Sequence, residues 1–526
     1  MKQKDDFFRD EIRSGFYVPT VIKQAWANEL DVLEKIDEIC KKYDIKYFAD
    51  AGTLLGAVRH NGFIPWDDDI DICMFRDDFE RFMEIAEKEL PKDYTIHDYK
   101  RKENYNNFSV KIVNGQRINF ELDYLNKHYN FPWLSCVDVY ILDYLYEDSE
   151  QEKQRDDELL YLLAVIEILE KREELTDKAL FLLEQLEQKY NVKFLRQGSK
   201  LDITNQIRDL FVKISSRVNK NESSRVGIIH PFILSGEEGV SAELYKNVVY
   251  FPFEKFKIPV PIGYDDILKN RFNDYHIIVK DRSLHNYPFF EEQKKEIEQL
   301  ADDKVFDFEI DKNLLLSRPV VDFSRCEREV ENIEKKEILF LPIGIKEWES
   351  MQPYYEKAKR DKNSDVYIVP LPLMRKDILG NVIADDKDIF EALNIEAYIQ
   401  SHSIKVEDIV SFIDYDISKH CPNEVYVHNP YDGENPYFTV PTNYYVKNIR
   451  NYASKITYIP IGKVDEFEID DYVEYYNMVH YVCKPGLVYA DEVIVQSENM
   501  KEVYIKKLND IFGKEYDKAW NKMIKF

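Results

Sequence analysis

The chain has 526 residues, 44% of them hydrophobic and 14% aromatic, and carries a formal net charge of −27. Its length sets an expectation of about two to four domains with sizeable cores, and its acidity argues against a nucleic-acid partner, whose phosphates call for a basic surface. No apolar run is long enough for a signal sequence or a bilayer span, so a cytoplasmic protein without an integral membrane segment is expected. The cysteines, Cys40, Cys73, Cys136, Cys326, Cys421 and Cys483, form no CxxC pair and suggest neither a zinc site nor a disulfide framework.

Residues from about 18 to 43 place Val21, Ile22, Trp26, Leu30, Leu33, Ile36 and Ile39 at helical spacing and predict an amphipathic helix that buttresses a sheet. Tyr47 to His60 then read as a short strand, a glycine turn and a helix start. Gly52 lets backbone come close to a ligand, Thr53 offers a hydroxyl, and the first N–H groups of the helix favour phosphate. Arg59, one or two turns further on, suits a bidentate phosphate contact or a surface ion pair.

Next comes the run Phe63-Ile64-Pro65-Trp66-Asp67-Asp68-Asp69-Ile70-Asp71-Ile72, which packs four carboxylates into five positions. Asp69 and Asp71, separated by an apolar residue, fit strand alternation: both leave one face while Ile70 and Ile72 enter the core. Two carboxylates so placed suit one Mg²⁺, with Mn²⁺ as the alternative, and Mg²⁺ commonly completes its shell with water and phosphate oxygens. Asp67 and Asp68 read as ligands of a second ion or as supporting groups. A solvated acidic loop is the plain alternative, against which the preceding strand, turn and helix argue.

Strands are predicted at Phe108–Val113, Ile118–Asp123 and around Asp138. From about 149 to 225 glycine and proline nearly vanish and leucines recur at helical spacing, predicting a packed helical insertion. Phe251-Pro252-Phe253-Glu254 and Ile258-Pro259-Val260-Pro261 read as a hairpin. The acidic, weakly periodic stretch 301–336 reads as a linker. Beyond it, the apolar runs beginning at Ile338, Val366, Val425, Ile456 and Val493 alternate with helical segments, which predicts a parallel sheet. His428, Asn429 and Asp432 stand where such sheets bind ligands, although a loop held by its own polar side chains explains them as well.

The stretch from Ala49 to Phe82 resembles the LicD family through Asp50-Ala51-Gly52-Thr53-Leu54-Leu55-Gly56-Ala57-Val58-Arg59, Gly62 to Ile72, and Arg76-Asp77-Asp78-Phe79. That resemblance implies a nucleotidyltransferase-like fold and a Mg²⁺-dependent enzyme moving phosphocholine, or a related alcohol phosphate, from a CDP-alcohol to a glycan. It implies Asp138, in Val137-Asp138-Val139-Tyr140-Ile141-Leu142-Asp143, as a third metal carboxylate beside Asp69 and Asp71. Lys111 falls at a family lysine and is carried over as a donor-phosphate contact, and Arg282 and His285 stand at a family end rich in Arg and His. Arg271-Phe272-Asn273-Asp274-Tyr275 replaces the family's Tyr-Gly-Asp-Tyr, which weakens any contact carried over there. More loosely, residues 337–526 resemble the first Rossmann-like domain of CDP-glycerol glycerophosphotransferases, implying a role in acceptor binding.

The expected architecture is therefore α/β: residues 1–300 as a nucleotidyltransferase-like mixed sheet with a helical insertion at 149–225, a linker, and a Rossmann-like doubly wound parallel-sheet domain at 337–526. The expected partners are CDP-choline or another CDP-alcohol and a glycan acceptor. Glycerol- or ribitol-phosphate transfer, a true nucleotidyltransferase acting on an NTP, and a non-catalytic glycan-binding scaffold with structural Ca²⁺ remain the competing readings.

Overall fold

The computed structural model describes residues 5–102, 105–171, 177–195, 200–235, 239–280, 287–300, 311–316, 318–327, 335–344, 347–383, 386–401 and 404–526. The chain divides into two compact units. The first comprises Ala25–Ile118 and Trp133–Lys280; the second comprises Lys2–Gln24, Asn119–Pro132 and Asp281–Phe526. Residues 2–24 and 119–132, expected in the amino-terminal domain, thus fall in the second unit, and much of the expected linker lies outside the described residues.

The predicted amphipathic helix is α1 (Thr20–Tyr43), which belongs to the first unit from Ala25 onward and whose buried residues include Trp26, Val32, Leu33 and Ile36. A mixed sheet follows, built from β1 (Phe48–Ala49), β2 (Asp71–Phe75), β3 (Thr95–His97), β4 (Val110–Val113) and β5 (Cys136–Tyr144) in the order β1-β2-β5-β4-β3. β2 and β5 are parallel, and the other neighbours along this path are antiparallel. Helix α2 (Ala51–Arg59) leaves β1, and α3 (Arg76–Glu89) leaves β2. Arg76 forms a two-point ion pair with Asp143 at 2.9 and 2.6 Å, tying the start of α3 to the end of β5.

The insertion consists of α4 (Ser149–Glu170), α5 (Asp177–Tyr190) and α6 (Lys200–Ser215). Leu159, Leu162 and Val165 meet Leu183 and Leu186, and Ile207, Phe211 and Ile214 complete that core. The leucine stripe is packing, as its periodicity implied. Further on, β6 (Arg225–Ile228) adds to β5, the predicted hairpin pairs β7 (Val248–Phe253) with β8 (Phe256–Pro261), and α7 (Tyr264–Phe272) follows.

Ile118–Asp123 is not a strand. Asn119 Oδ1 accepts the Glu121 N–H at 2.8 Å, a turn that interrupts any ladder, and a short helix runs over Leu122–Lys127. Phe120 and Leu122, which supplied the alternation, are both exposed, so no sheet face buries them.

The second unit holds a six-stranded sheet: β9 (Lys336–Leu341), β10 (Ser364–Ile368), β11 (Glu424–Val427), β12 (Lys455–Tyr458), β13 (Glu492–Ile494) and β14 (Ile524–Lys525), in the order β10-β9-β11-β12-β13-β14. Every pairing is parallel. Five strands coincide with the apolar runs of the sequence; β14, two residues at the chain end, carried no such signal. Ile338 and Phe340 of β9 pack with Trp348, Met351, Ile395 and Ile399, the pattern of a strand buried beneath helices. The mixed α/β class is thus as expected, and the parallel sheet fits a Rossmann-like domain.

Candidate active site

The acid run meets the sheet at the start of β2. Ile70 and Ile72 are both fully buried, whereas Asp69 and Asp71 are partly open, the division strand alternation required. Asp71 stands directly opposite Asp138 on the parallel neighbour β5, and the Asp138 N–H donates to Ile70 O at 2.9 Å. Cross-strand partners project to the same face, so these two carboxylates are neighbours.

The glycine turn is welded to this strand. The Asp50 N–H donates to Asp71 O at 3.0 Å, and the Asp71 N–H donates to Thr53 Oγ1 at 2.8 Å. Thr53 therefore fixes the Asp71 backbone, and Leu54 N–H closes the first turn of α2 on Asp50 O. A Cβ at Gly52 would lie 2.5 Å from Asp67 Oδ2, so the absence of a side chain lets the acid loop approach the helix start. Ala51 between them holds φ at +44°, a left-handed conformation that costs a non-glycine residue energy and often accompanies functional turns.

Asp50 does not cap α2 with its side chain. Its buried carboxylate instead receives Arg271 Nη1 at 3.2 Å to each oxygen. Arg59 points to backbone: its Nη1 donates to Tyr275 O at 3.0 Å and Ile277 O at 3.3 Å, joining α2 to the loop after α7. Lys111, opposite Asp138 on β4, places Nζ 2.9 Å from Asp138 Oδ2. The structure thus brings Asp69, Asp71, Asp138, Lys111, Gly52 and Thr53 together at one end of the sheet. Arg282 and His285 lie outside the described residues. Trp66 is largely buried, and the Lys280 ammonium lies 5.8 Å from its ring centroid, a cation–π contact within the chain.

Electrostatics set this region apart. Burial, then Asp69, Asp138, Asp50 and Asp67, raise the Asp71 carboxyl well above the ordinary range. Burial, then Asp68, Asp69, Asp67 and Asp138, do the same to Glu29 on α1. Tyr140 is raised by burial and then by Asp71 and Asp138. Lys111 is held up by Cys136 and, against the cost of burial, by Asp138. Because burial raises the Cys136 thiol and keeps it neutral near pH 7, Asp138 is the partner that matters there. Sequence reasoning missed Glu29, Arg271 and Tyr140: a Glu within an apolar helical stripe, an Arg in a degraded motif and a Tyr in a strand each look ordinary.

This donor set suits a hard divalent cation in chemistry. All its ligating atoms are carboxylate oxygens, and Asp71 Oδ1 is buried yet accepts no hydrogen bond. Among the described residues no three His, Cys, Asp or Glu side chains are already gathered in the arrangement of a bound ion. Asp69, Asp71 and Asp138 would hold one by turning toward a common centre, in place of the repulsion they now share.

In the second unit, His428 Nε2 and Ser350 Oγ are 2.9 Å apart, Asn429 Oδ1 accepts the Tyr431 N–H, and Asp432 accepts the N–H groups of Val446 and Lys447. These bonds match a loop stabilised by its own polar groups.

Residues 44–155 match the family described as LicD/FKTN/FKRP, nucleotidyltransferase domain. The lipopolysaccharide cholinephosphotransferase LicD of Haemophilus influenzae is 45% identical over 67 residues, which are 13% of this chain and 25% of that protein. Uncharacterized proteins of Rickettsia prowazekii and Rickettsia typhi are 32% identical over 99 residues and 42% over 65, covering 15% and 12% of this chain and 37% and 21% of theirs. The chain thus spans between about a fifth and two fifths of the length of these relatives. Residues 44–155 contain the glycine turn, the acid run and β5, so the site lies within the segment that matches the LicD nucleotidyltransferase domain.

Proposed function

We propose that the protein transfers an alcohol phosphate, phosphocholine foremost, from a CDP-alcohol to a hydroxyl of a cell-surface glycan or its precursor, releasing CMP. The observation that carries this reading is the carboxylate face of Asp69, Asp71 and Asp138 beside the Gly52 turn, all within residues 44–155, the segment that matches the LicD/FKTN/FKRP nucleotidyltransferase domain.

The acceptor hydroxyl attacks the β-phosphorus and loses its proton to solvent as the bridging oxygen departs with CMP. A Mg²⁺ or Mn²⁺ bound at the site supplies charge neutralisation for the diphosphate. Asp69 and Asp71 would hold that ion, and Asp138, paired with Lys111, would complete its ligands in preference to taking a proton, since a neighbouring cation makes a carboxylate a weak base. Thr53 and Gly52 position Asp71 and Asp67, and the N–H groups opening α2 face the phosphates. We assign acceptor binding to the second unit. No described helix is long and apolar enough to cross a membrane.

CDP-choline, CDP-ethanolamine, CDP-glycerol and CDP-ribitol offered with Mg²⁺ and candidate glycans, with nucleotide products separated by chromatography, test this. CMP formed from CDP-choline ahead of the others is the expected result. Pyrophosphate formed from an NTP, with the nucleotide retained on the product, would make the protein a true nucleotidyltransferase instead.

A further inference from the structure

Helix α1 was read from the sequence as a buttress, yet it delivers a carboxylate to the acid cluster. Trp26 Nε1 donates to Asp67 O at 3.0 Å, and the Trp26 ring stacks on Phe63 at 4.6 Å, fixing one face of α1 against the acid loop. Glu29 lies three residues on, on the same face of the helix. It is 1% exposed, and its Oε2 accepts no hydrogen bond. The charges that bear most strongly on it are acidic: Asp68, Asp69, Asp67 and Asp138.

A buried carboxylate with one oxygen left without a donor, set among other carboxylates, is costly as a purely structural element. An amide of the same shape would serve packing better. What makes such a residue worth its position is a cation that enters the cluster. Glu29 is an oxygen donor of the kind that Mg²⁺ and Mn²⁺ take, directly or through one of the waters these ions keep.

We propose that Glu29 is a further cation-binding residue of this site, joining α1 to the carboxylates of the acid run when a divalent cation binds. The inference rests on the cation dependence proposed above. It implies that ion binding tightens the contact of α1 with the acid loop, and that Glu29 stabilises the ion-bound protein while destabilising the ion-free one.

The test is calorimetric titration of the full chain with Mn²⁺ and Mg²⁺, together with thermal unfolding in chelator and in excess Mg²⁺. Glu29→Gln is compared with wild type and with Glu38→Gln, an exposed change on the same helix. The expected result is that Glu29→Gln melts higher than wild type in chelator, gains less from Mg²⁺, and binds Mn²⁺ at least tenfold more weakly, while Glu38→Gln behaves as wild type. Should Glu29→Gln fail to fold, Glu29→Asp decides, because it keeps the charge one methylene further back and should bind severalfold more weakly. Cation affinity within twofold of wild type in the folded Glu29 variant overturns the inference and leaves the proposed transfer reaction intact. A wild type that binds neither cation at millimolar concentration overturns the inference together with the metal mechanism.

Discussion

Replacing Arg271 with methionine strands the Asp50 carboxylate, and the geometry sets the size of the effect. Arg271 Nη1 is 3.2 Å from both oxygens, with the Arg271 side chain 22% and the Asp50 side chain 4% exposed. At that distance an effective dielectric of about 20 gives about 5 kcal/mol of attraction. Desolvation takes back part of this, and removing one partner of a buried pair typically costs about 3–5 kcal/mol. The residual exposure of Arg271 places the expected loss near the lower end, about 3 kcal/mol, for Arg271→Met. Asp50→Asn should lose a similar amount, and the double variant should lose less than the sum by about 2 kcal/mol. Urea unfolding followed by tryptophan fluorescence measures the cycle, with Trp26, Trp66 and Trp133 reporting on the first unit. A coupling below about 0.5 kcal/mol would refute the claim that Arg271 anchors the start of α2.

Gly56→Ala places a Cβ 2.4 Å from Gly62 O, a backbone atom that cannot swing aside, so the variant should lose about 1–3 kcal/mol in urea unfolding despite alanine's better helix propensity. Binding of Mg²⁺ should stabilise the protein by about 2.7 kcal/mol at a hundred times its dissociation constant, measured by thermal unfolding. At a fixed Mg²⁺ concentration the increment should grow as pH rises. The Asp71 carboxyl is raised in the folded state, so its contribution is complete below the unfolded carboxylate range and is lost as pH rises through the raised pKa when no cation is present. A Mg²⁺ increment that shrinks with rising pH would contradict the assignment. His428 is depressed by burial to about 3, so its contribution is present above the unfolded histidine pKa and is lost as pH falls toward the folded value. From pH 7 to 5 wild type should lose about 2 kcal/mol more than His428→Gln in paired urea titrations, and equal slopes would show that His428 does not stay neutral.

The chemistry was legible wherever local pattern and chemistry coincide. Asp69, Ile70, Asp71 and Ile72 announce both a strand and a carboxylate face, and the Gly52 turn before them has the spacing of a strand-to-helix connection. The insertion could be read as packing because its leucines repeat every three or four residues. What could not be read depends on distant segments. Glu29 looks like one polar position in an amphipathic helix until Trp26 is seen bonded to the acid loop. Arg271 sits more than two hundred residues from Asp50, in an element whose motif had decayed. Phe120 and Leu122 alternate as a strand would, but Asn119 turns the chain there, and a side-chain hydrogen bond of that kind leaves no periodic trace. The assignment of residues 2–24 and 119–132 to the second unit is likewise a matter of non-local contact.

The most direct test is Mg²⁺-dependent CMP release from CDP-choline by wild type and by Asp71→Asn, with melting curves showing that both are folded. Wild type should release CMP in step with phosphocholine appearing on the glycan. Asp71→Asn should lose at least about a hundredfold in that rate, because the ion loses one of its carboxylate ligands. CMP release that is unchanged in Asp71→Asn, or that persists in wild type with all divalent cation removed, would contradict the account at its centre.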